Sequence, residues 1–284
     1  MTLPAALAAA LAPPDPATLP LPPEARPAEG VRLLRAVPYA VRDGSRPLEL
    51  DLWLPDEPAD RPLPVVVFVH GGAWLTGLRD DPGPGLRAWR PGPFARLARA
   101  GFAVACPDYR LSGEAAFPAQ LDDLTGMVGW LRLRAAELGL DAGRIVTWGE
   151  SAGGHLAALL ALEPGTAVRG CVVWYAPADL TAAPPGSPEA LLLGADATPA
   201  LARAASPVAR VTPDAPPFLI LHGADDSVVP HAQGEALAAA LRAAGTEVTF
   251  RSVPGADHLW VGAADDTVGE CFTATLEFAR AHCG

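Results

Sequence analysis

Short apolar runs and amphipathic stretches follow one another along the chain from about residue 31 to its C-terminus. PVVVFVHGG (64–72) is apolar without a break until it meets glycines, the pattern of a strand buried on both faces of a sheet. FAVACPDY (102–109), RIVTWG (144–149), GCVVWYAP (170–177) and PPFLILHG (216–223) repeat that pattern, and EVTFRSVPG (247–255) reads as a last strand. Ahead of them, RLLRAVPYAVRDG and RPLELDLWLP flank Asp43-Gly44, and the partial alternation in the second predicts an antiparallel pair across that turn. Helices are expected at 94–100, about 118–138, 152–162, about 231–244 and about 267–279. Buried strands alternating with helices predict an α/β fold: a mostly parallel, eight-stranded sheet covered by helices on both faces.

Two segments do not fit that rhythm. Residues 1–30 are dense in Ala and Pro, and repeated X-Pro steps disfavour a continuous helix, so an N-terminal arm is expected there. Residues 181–215 form a Pro/Ala-rich insert too long for a simple connection, expected to cap a site with one or two short helices. Leu191 to Leu193 within it read either as the core of that cap or as an apolar wall facing a substrate. The remaining residues, 31–284, are expected to form one domain, since 284 residues with 50% hydrophobic content bury a sizeable core undivided.

Charge and cysteine usage narrow the class. A formal net charge of -11 argues against a nucleic-acid partner, which requires a basic face to displace counterions. The four cysteines, Cys106, Cys171, Cys271 and Cys283, have no C-x-x-C spacing and are expected as free thiols in a reducing compartment. MTLPAALAAALAPP carries no basic residue before its short apolar stretch, and no run reaches the roughly 18 apolar residues of a membrane span. A cytoplasmic location without membrane association is the expectation; the oligomeric state is not legible.

Open parallel sheets gather ligands at the carboxyl ends of their strands. Five polar clusters fall there: His70-Gly71-Gly72, Asp108-Tyr109-Arg110, Glu150-Ser151, Asp225-Asp226 and Asp257-His258. Ser151 stands in G-E-S-A-G, between a predicted strand and a predicted helix. A strand that passes straight into a helix strains the residue between them and throws its side chain clear of the sheet. Gly149 and Gly153 remove the Cβ atoms that would collide at such a bend, and the helix N-terminus places free N–H groups where negative charge would develop. Ser151 therefore reads as a nucleophile; the competing reading is an ordinary helix N-cap.

A serine nucleophile needs a base, and that base needs an acid. Six histidines are present. His155 would point along its helix, while His70 and His222 end strands before glycine and read as loop-holding residues. His258, in a loop after the last strand, is free to reach over Ser151. After the preceding strand, LILHGADDSVVP supplies Asp225 and Asp226, and either satisfies the chain order Ser, Asp, His. Asp257 is weaker, because its side chain should diverge from that of its neighbour. Backbone donors for an oxyanion are expected from Gly71, Gly72 and Ala73 together with Ala152, with Trp74 and Glu150 bordering the substrate.

These residues resemble the α/β-hydrolases, and among them the esterase/lipase group related to hormone-sensitive lipase and to BD-FAE-type carbohydrate acetyl and feruloyl esterases. The similarity runs from about Val37 onward through HGGAW, CPDYRL, FPAQLDDL, GESAGGHLAALLA, ASPVARV, FLILHGADDSVVP and VPGADH. It implies the α/β-hydrolase fold with a small cap insert and a triad of Ser151, Asp226 and His258. Asp226 is preferred to Asp225 because H-G-x-x-D-x-x-V-P falls on His222, Gly223, Asp226, Val229 and Pro230. Where relatives of hormone-sensitive lipase carry H-G-G-G, this chain has Ala73 followed by Trp74, which keeps an N–H donor but reshapes the adjacent pocket. The resemblance implies a carboxylesterase acting on short-acyl, acetyl-like esters of small molecules through an acyl-enzyme, with no metal or organic cofactor. Two alternatives accompany it: an amidase or formamidase using the same triad, as H-G-G-x-W also resembles kynurenine formamidases, and a non-catalytic small-molecule-binding relative.

Overall fold

A computed structural model describes residues 13–42, 45–57, 59–264 and 266–284. Each apolar run becomes a strand and one further strand precedes them: β1 (Glu24–Ala28), β2 (Val31–Ala40), β3 (Leu48–Pro55), β4 (Leu63–Val69), β5 (Ala103–Pro107), β6 (Leu140–Glu150), β7 (Val168–Trp174), β8 (Phe218–Gly223) and β9 (Val248–Val253). They form one sheet in the order β1-β2-β3-β5-β4-β6-β7-β8-β9, antiparallel through the β3–β5 pairing and parallel from β5 to β9. The sheet has nine strands rather than the eight expected. The additional one, β1, is EARPA: paired along one side only and mostly solvent-facing, it has no apolar signature to read.

The first twelve residues of the expected N-terminal arm, and the Asp43-Gly44 turn of the expected hairpin, lie outside the described residues. From Pro16 the arm is tied to the body: the Trp130 Nε1–H donates to the Pro16 carbonyl at 3.1 Å, and Arg134 donates to the Leu19 carbonyl at 2.8 Å.

Period-two alternation sorts the strand residues into two cores. Val65, Val67 and Val69 of β4, Cys171 and Val173 of β7, and Phe218 and Ile220 of β8 face one layer. Helices α2 (Ala119–Leu133), α4 (Ala152–Leu162) and α8 (Ala232–Ala243) pack there, through Leu124, Leu156 and Leu237 among others. The intervening residues, including Val66, Phe68, Trp148, Trp174 and Leu221, face the opposite layer with α1 (Pro93–Arg99) and α9 (Thr267–Cys283). The pattern expected over 118–138 is broken near Arg134, so that α3 (Ala135–Leu138) is a separate short turn ending on left-handed Gly139. The segment 181–215 carries three short helices rather than one or two: α5 (Pro188–Leu193), α6 (Pro199–Ala204) and α7 (Pro207–Arg210). Each starts at a Ser or Thr followed by Pro, the arrangement that pre-forms a first helical turn. Leu192 and Leu193 are core, whereas Leu191 faces solvent.

The four cysteines are free and buried. Among the described residues no helix is long and apolar enough to cross a membrane.

Trp148 sits at the middle of the second core, its ring 4.6 Å from that of Phe68 and 5.2 Å from that of Trp174. Trp148→Ala is expected to lower unfolding free energy by about 3–5 kcal/mol, read from the denaturation midpoint and slope. A loss below about 1 kcal/mol would place the packing centre elsewhere.

Candidate active site

Ser151 occupies the bend between β6 and α4 at φ 51° and ψ −124°, a conformation costly for any residue with a side chain. The chain accommodates it because its flanks carry no Cβ. A Cβ on Gly149 would lie 2.3 Å from the Gly153 carbonyl oxygen, and one on Gly153 would lie 2.1 Å from the Val69 carbonyl oxygen. The Ser151 N–H donates to the Trp174 carbonyl at 2.9 Å, which pins the bend to the neighbouring strand. Its hydroxyl makes no cap hydrogen bond to α4, so the N-cap reading falls away.

His258 and Asp226 reach this hydroxyl from two loops at the same sheet edge. The imidazole Nε2 lies 3.0 Å from Ser151 Oγ, and its Nδ1 lies 2.8 Å from Asp226 Oδ2. With Nδ1–H donating to the carboxylate, Nε2 carries the lone pair that faces the serine. Asp226 is fixed as firmly as the histidine it orients, since its Oδ1 accepts the Val228 and Val229 amides at 2.9 and 2.8 Å. Burial pushes this carboxyl up, but hydrogen bonds from His222, His258 and the Val229 amide outweigh it and hold the group well below the usual carboxylate range. Gly223 lets the two loops meet, because a Cβ there would lie 2.3 Å from the Ala256 carbonyl oxygen.

The other candidates settle into supporting places. Asp225 is exposed at this turn. Asp257 accepts from the His258 and Ser227 amides at 2.6 and 2.7 Å, which shapes the loop and turns its carboxylate from the imidazole. His222 is fully buried, with Nε2 at 2.9 Å from the Val229 carbonyl and 3.4 Å from Asp226 Oδ2. His155 lies inside the first core with Nε2 at 2.7 Å from the Ala205 carbonyl, and burial lowers its pKa to about 4. His70 stacks on Tyr109, with ring centroids 4.4 Å apart.

The turn after β4 carries the amides expected as oxyanion donors. Gly72, Ala73 and Trp74 all have positive φ, at 107°, 55° and 56°. Among the described residues, no hydrogen bond occupies the amides of Gly72, Ala73 or Ala152. Gly71 packs against the carboxyl of Glu150, where a Cβ would lie 3.3 Å from Oε1. Arg79 anchors the far side of this loop, bridging Asp51 at 2.9 Å and Asp108 at 2.8 Å. The Asp108 and Asp123 of the sequence motifs are therefore scaffold, Asp123 being paired with Arg110 at 2.8 Å.

Two chambers meet at Ser151, and Ala73 and Val228 border both. One, about 440 Å³, runs beneath the insert between Trp74, Ala183, Pro184, Pro188 and Pro230. The other, about 560 Å³, runs along the β4 turn past Thr76, Leu78, Arg87, Glu150 and His258. Trp74 and Glu150 thus fall on different walls.

Sequence reasoning did not single out Tyr175. It directly follows β7 at φ 37°, donates its hydroxyl to Glu150 Oε2 at 2.6 Å, and meets the His258 ring edge-on at 4.9 Å. The signal was present, since Tyr175 is a polar group at a strand's carboxyl end, but it reads as the tail of an apolar run.

The family described as BD-FAE matches residues 50–241. Esterase LipQ of Mycobacterium tuberculosis is 35% identical over 246 residues, a match covering 78% of this chain and 56% of LipQ. The chain thus spans little more than half the length of that relative. Among solved structures, a truncated carbohydrate esterase from gut microbiota superposes with a TM-score of 0.74 at 28% identity, covering 88% of this chain and 96% of the other. Esterase 2 of Thermogutta terrifontis, phosphorylated by paraoxon, superposes with a TM-score of 0.70 at 25% identity, covering 88% and 93%.

The depressed carboxyl of Asp226 stabilises the fold above the unfolded carboxylate value of about 4, and that contribution is lost as the pH falls through the lower folded value. Asp226→Asn is expected to melt below the native protein above about pH 5, with the gap closing toward pH 2. A gap independent of pH would contradict the assigned charge.

Proposed function

The chain belongs to the BD-FAE family within the α/β-hydrolases, and from that footing we propose that it is a serine carboxylesterase cleaving short-acyl esters of small molecules. The observation that carries the reading is the hydrogen-bonded line Ser151 Oγ, His258 and Asp226, at 3.0 and 2.8 Å, opening into two chambers.

In this reading His258 Nε2 takes the hydroxyl proton as Ser151 Oγ attacks the ester carbonyl carbon. The tetrahedral oxyanion lies against the Gly72, Ala73 and Ala152 amides, which are pre-aimed and lose no hydrogen bond in receiving it. Asp226 holds the imidazolium without accepting its proton. The imidazolium then protonates the departing alkoxide, leaving acyl-Ser151 and a neutral imidazole. Water, deprotonated by the same nitrogen, releases the acid and restores the serine.

The acyl group is assigned to the smaller chamber, where the insert acts as a cap: Pro184 and Pro188 face Trp74 across a space of about 440 Å³. The larger chamber, with its polar groups Thr76 and Arg87, is assigned to the alcohol. Names of relatives agree with the ester specificity, as LipQ and the gut-microbiota protein are both described as esterases.

Hydrolysis of p-nitrophenyl esters is expected to be fastest with acetate to butyrate and to decline toward decanoate. Ser151→Ala is expected to lower kcat by about 10⁴-fold or more. A long-chain optimum would overturn the acyl assignment, and undiminished turnover in the alanine variant would remove Ser151 from the mechanism. Faster turnover of N-formylkynurenine than of phenyl acetate would favour the formamidase reading.

A further inference from the structure

Glu150 is the buried titratable group nearest the nucleophile in sequence, and the proton transfers described above do not use it. Only 6% exposed, it sits at the end of β6 with its carboxyl pressed between three segments. On one side Oε2 accepts the Tyr175 hydroxyl at 2.6 Å. On another, Gly71 lies against it so closely that a Cβ there would be 3.3 Å from Oε1. On the third, Gly83 covers it, where a Cβ would be 2.3 Å from Oε2. Those segments are the strand end that packs on His258, the turn that presents the Gly72 and Ala73 amides, and the loop walling the larger chamber.

We propose that Glu150 and Tyr175 form a positioning pair for the reaction, the carboxylate joining the donor turn at Gly71 to the Tyr175 ring that backs His258. The inference rests on the esterase reading. An ionised carboxylate accepts the Tyr175 hydroxyl through Oε2 while its Oε1 lies against Gly71. Once protonated it donates either to Tyr175, which reverses that hydrogen bond, or toward the Gly71 segment, which then faces a donor instead of an acceptor, and in both cases the negative charge that holds the donor turn to the Tyr175 segment is gone.

The charged and titratable groups around the pair are Tyr109 and, from the covering loop, Asp81 with Arg87 about Glu150, and His258, Asp226 and Cys271 about Tyr175. Burial dominates and raises Glu150 to about 7, against the opposing hydrogen bonds of Tyr175 and Gly71. A carboxyl raised in the folded state favours the fold fully below its unfolded value of about 4 and withdraws that contribution as the pH rises through about 7. The carboxylate needed for positioning is thus held against stability.

This separates a positioning role from a structural one. Glu150→Gln keeps the shape but offers one acceptor and one donor, like the protonated acid. At pH 8.5 it is expected to melt no lower than the native protein, while kcat for p-nitrophenyl acetate falls about tenfold or more with KM changed less than threefold. Its acid limb of log kcat against pH should be shallower, because only the imidazole still has to lose a proton. Tyr175→Phe should show a comparable loss in kcat, and the double variant should lose no more than the worse single one.

Native kcat with an unchanged acid limb in Glu150→Gln would overturn the proposal, as would strictly additive losses. Should Glu150→Gln not fold, Tyr175→Phe with native kcat and pH profile overturns it alone. Absence of native turnover, or turnover surviving Ser151→Ala, would instead defeat the esterase reading and leave the melting comparison between pH 5 and 8.5 to test the buried carboxyl.

Discussion

The site depends on one backbone constraint: Ser151 must sit at positive φ at the point where β6 becomes α4. No side chain prefers that conformation, and its cost is of order 1–3 kcal/mol. It persists because the surroundings leave no other course. Ser151 is bonded to Trp174 behind it, and β6 is buried between β4 and β7. The first turn of α4 rests on the end of β4 at a distance that only glycine at 153 permits. The same bend lifts Oγ toward the sheet edge and leaves the Ala152 amide free, so the proposed nucleophile and the proposed oxyanion donor are placed by a single piece of geometry.

Everything else at the edge is arranged to meet that fixed point. The strand ends of β4, β8 and β9 carry the donor turn, Asp226 and His258; Gly72 and Gly153 leave no room for a Cβ at the β4 end, and Gly223 leaves none where the β8 and β9 loops meet. The electrostatics follow the same division. Asp226 has its acceptors filled by backbone amides and histidines and is held charged, as an orienting acid must be. Glu150, adjacent to the nucleophile but buried beneath Gly83, is driven toward neutrality. Two carboxyls at one site thereby acquire opposite tendencies from their surroundings, the arrangement by which one fold assigns different duties to like groups.

Much of this was legible in the sequence, for identifiable reasons. Strands buried on both faces lack a polar phase, so β4 to β8 stood out as unbroken apolar runs, and glycine spacing marked the bend at Ser151. Choosing Asp226 over Asp225 needed the family pattern, since both side chains follow the same strand; in the structure only Asp226 meets the Val228 and Val229 amides. Strand β1 was not legible because, paired along one side only and mostly facing solvent, it carries no apolar period. Nor was the Glu150–Tyr175 contact, in which two residues 25 positions apart meet only because β6 and β7 are neighbours in register, Glu150 opposite Trp174. The packing of Gly71 on Glu150 was invisible for the same reason: the course of a loop backbone is set by tertiary contacts.

The central claim is that this geometry makes one hydroxyl nucleophilic, and covalent capture reads it directly. Treating the native protein with an alkyl fluorophosphonate and mapping the adduct by peptide mass spectrometry is expected to give one phosphonyl group per chain, on Ser151, with labelling lost in His258→Ala. An unlabelled Ser151, or a phosphonyl group seated on another residue at the same rate in both proteins, would contradict it.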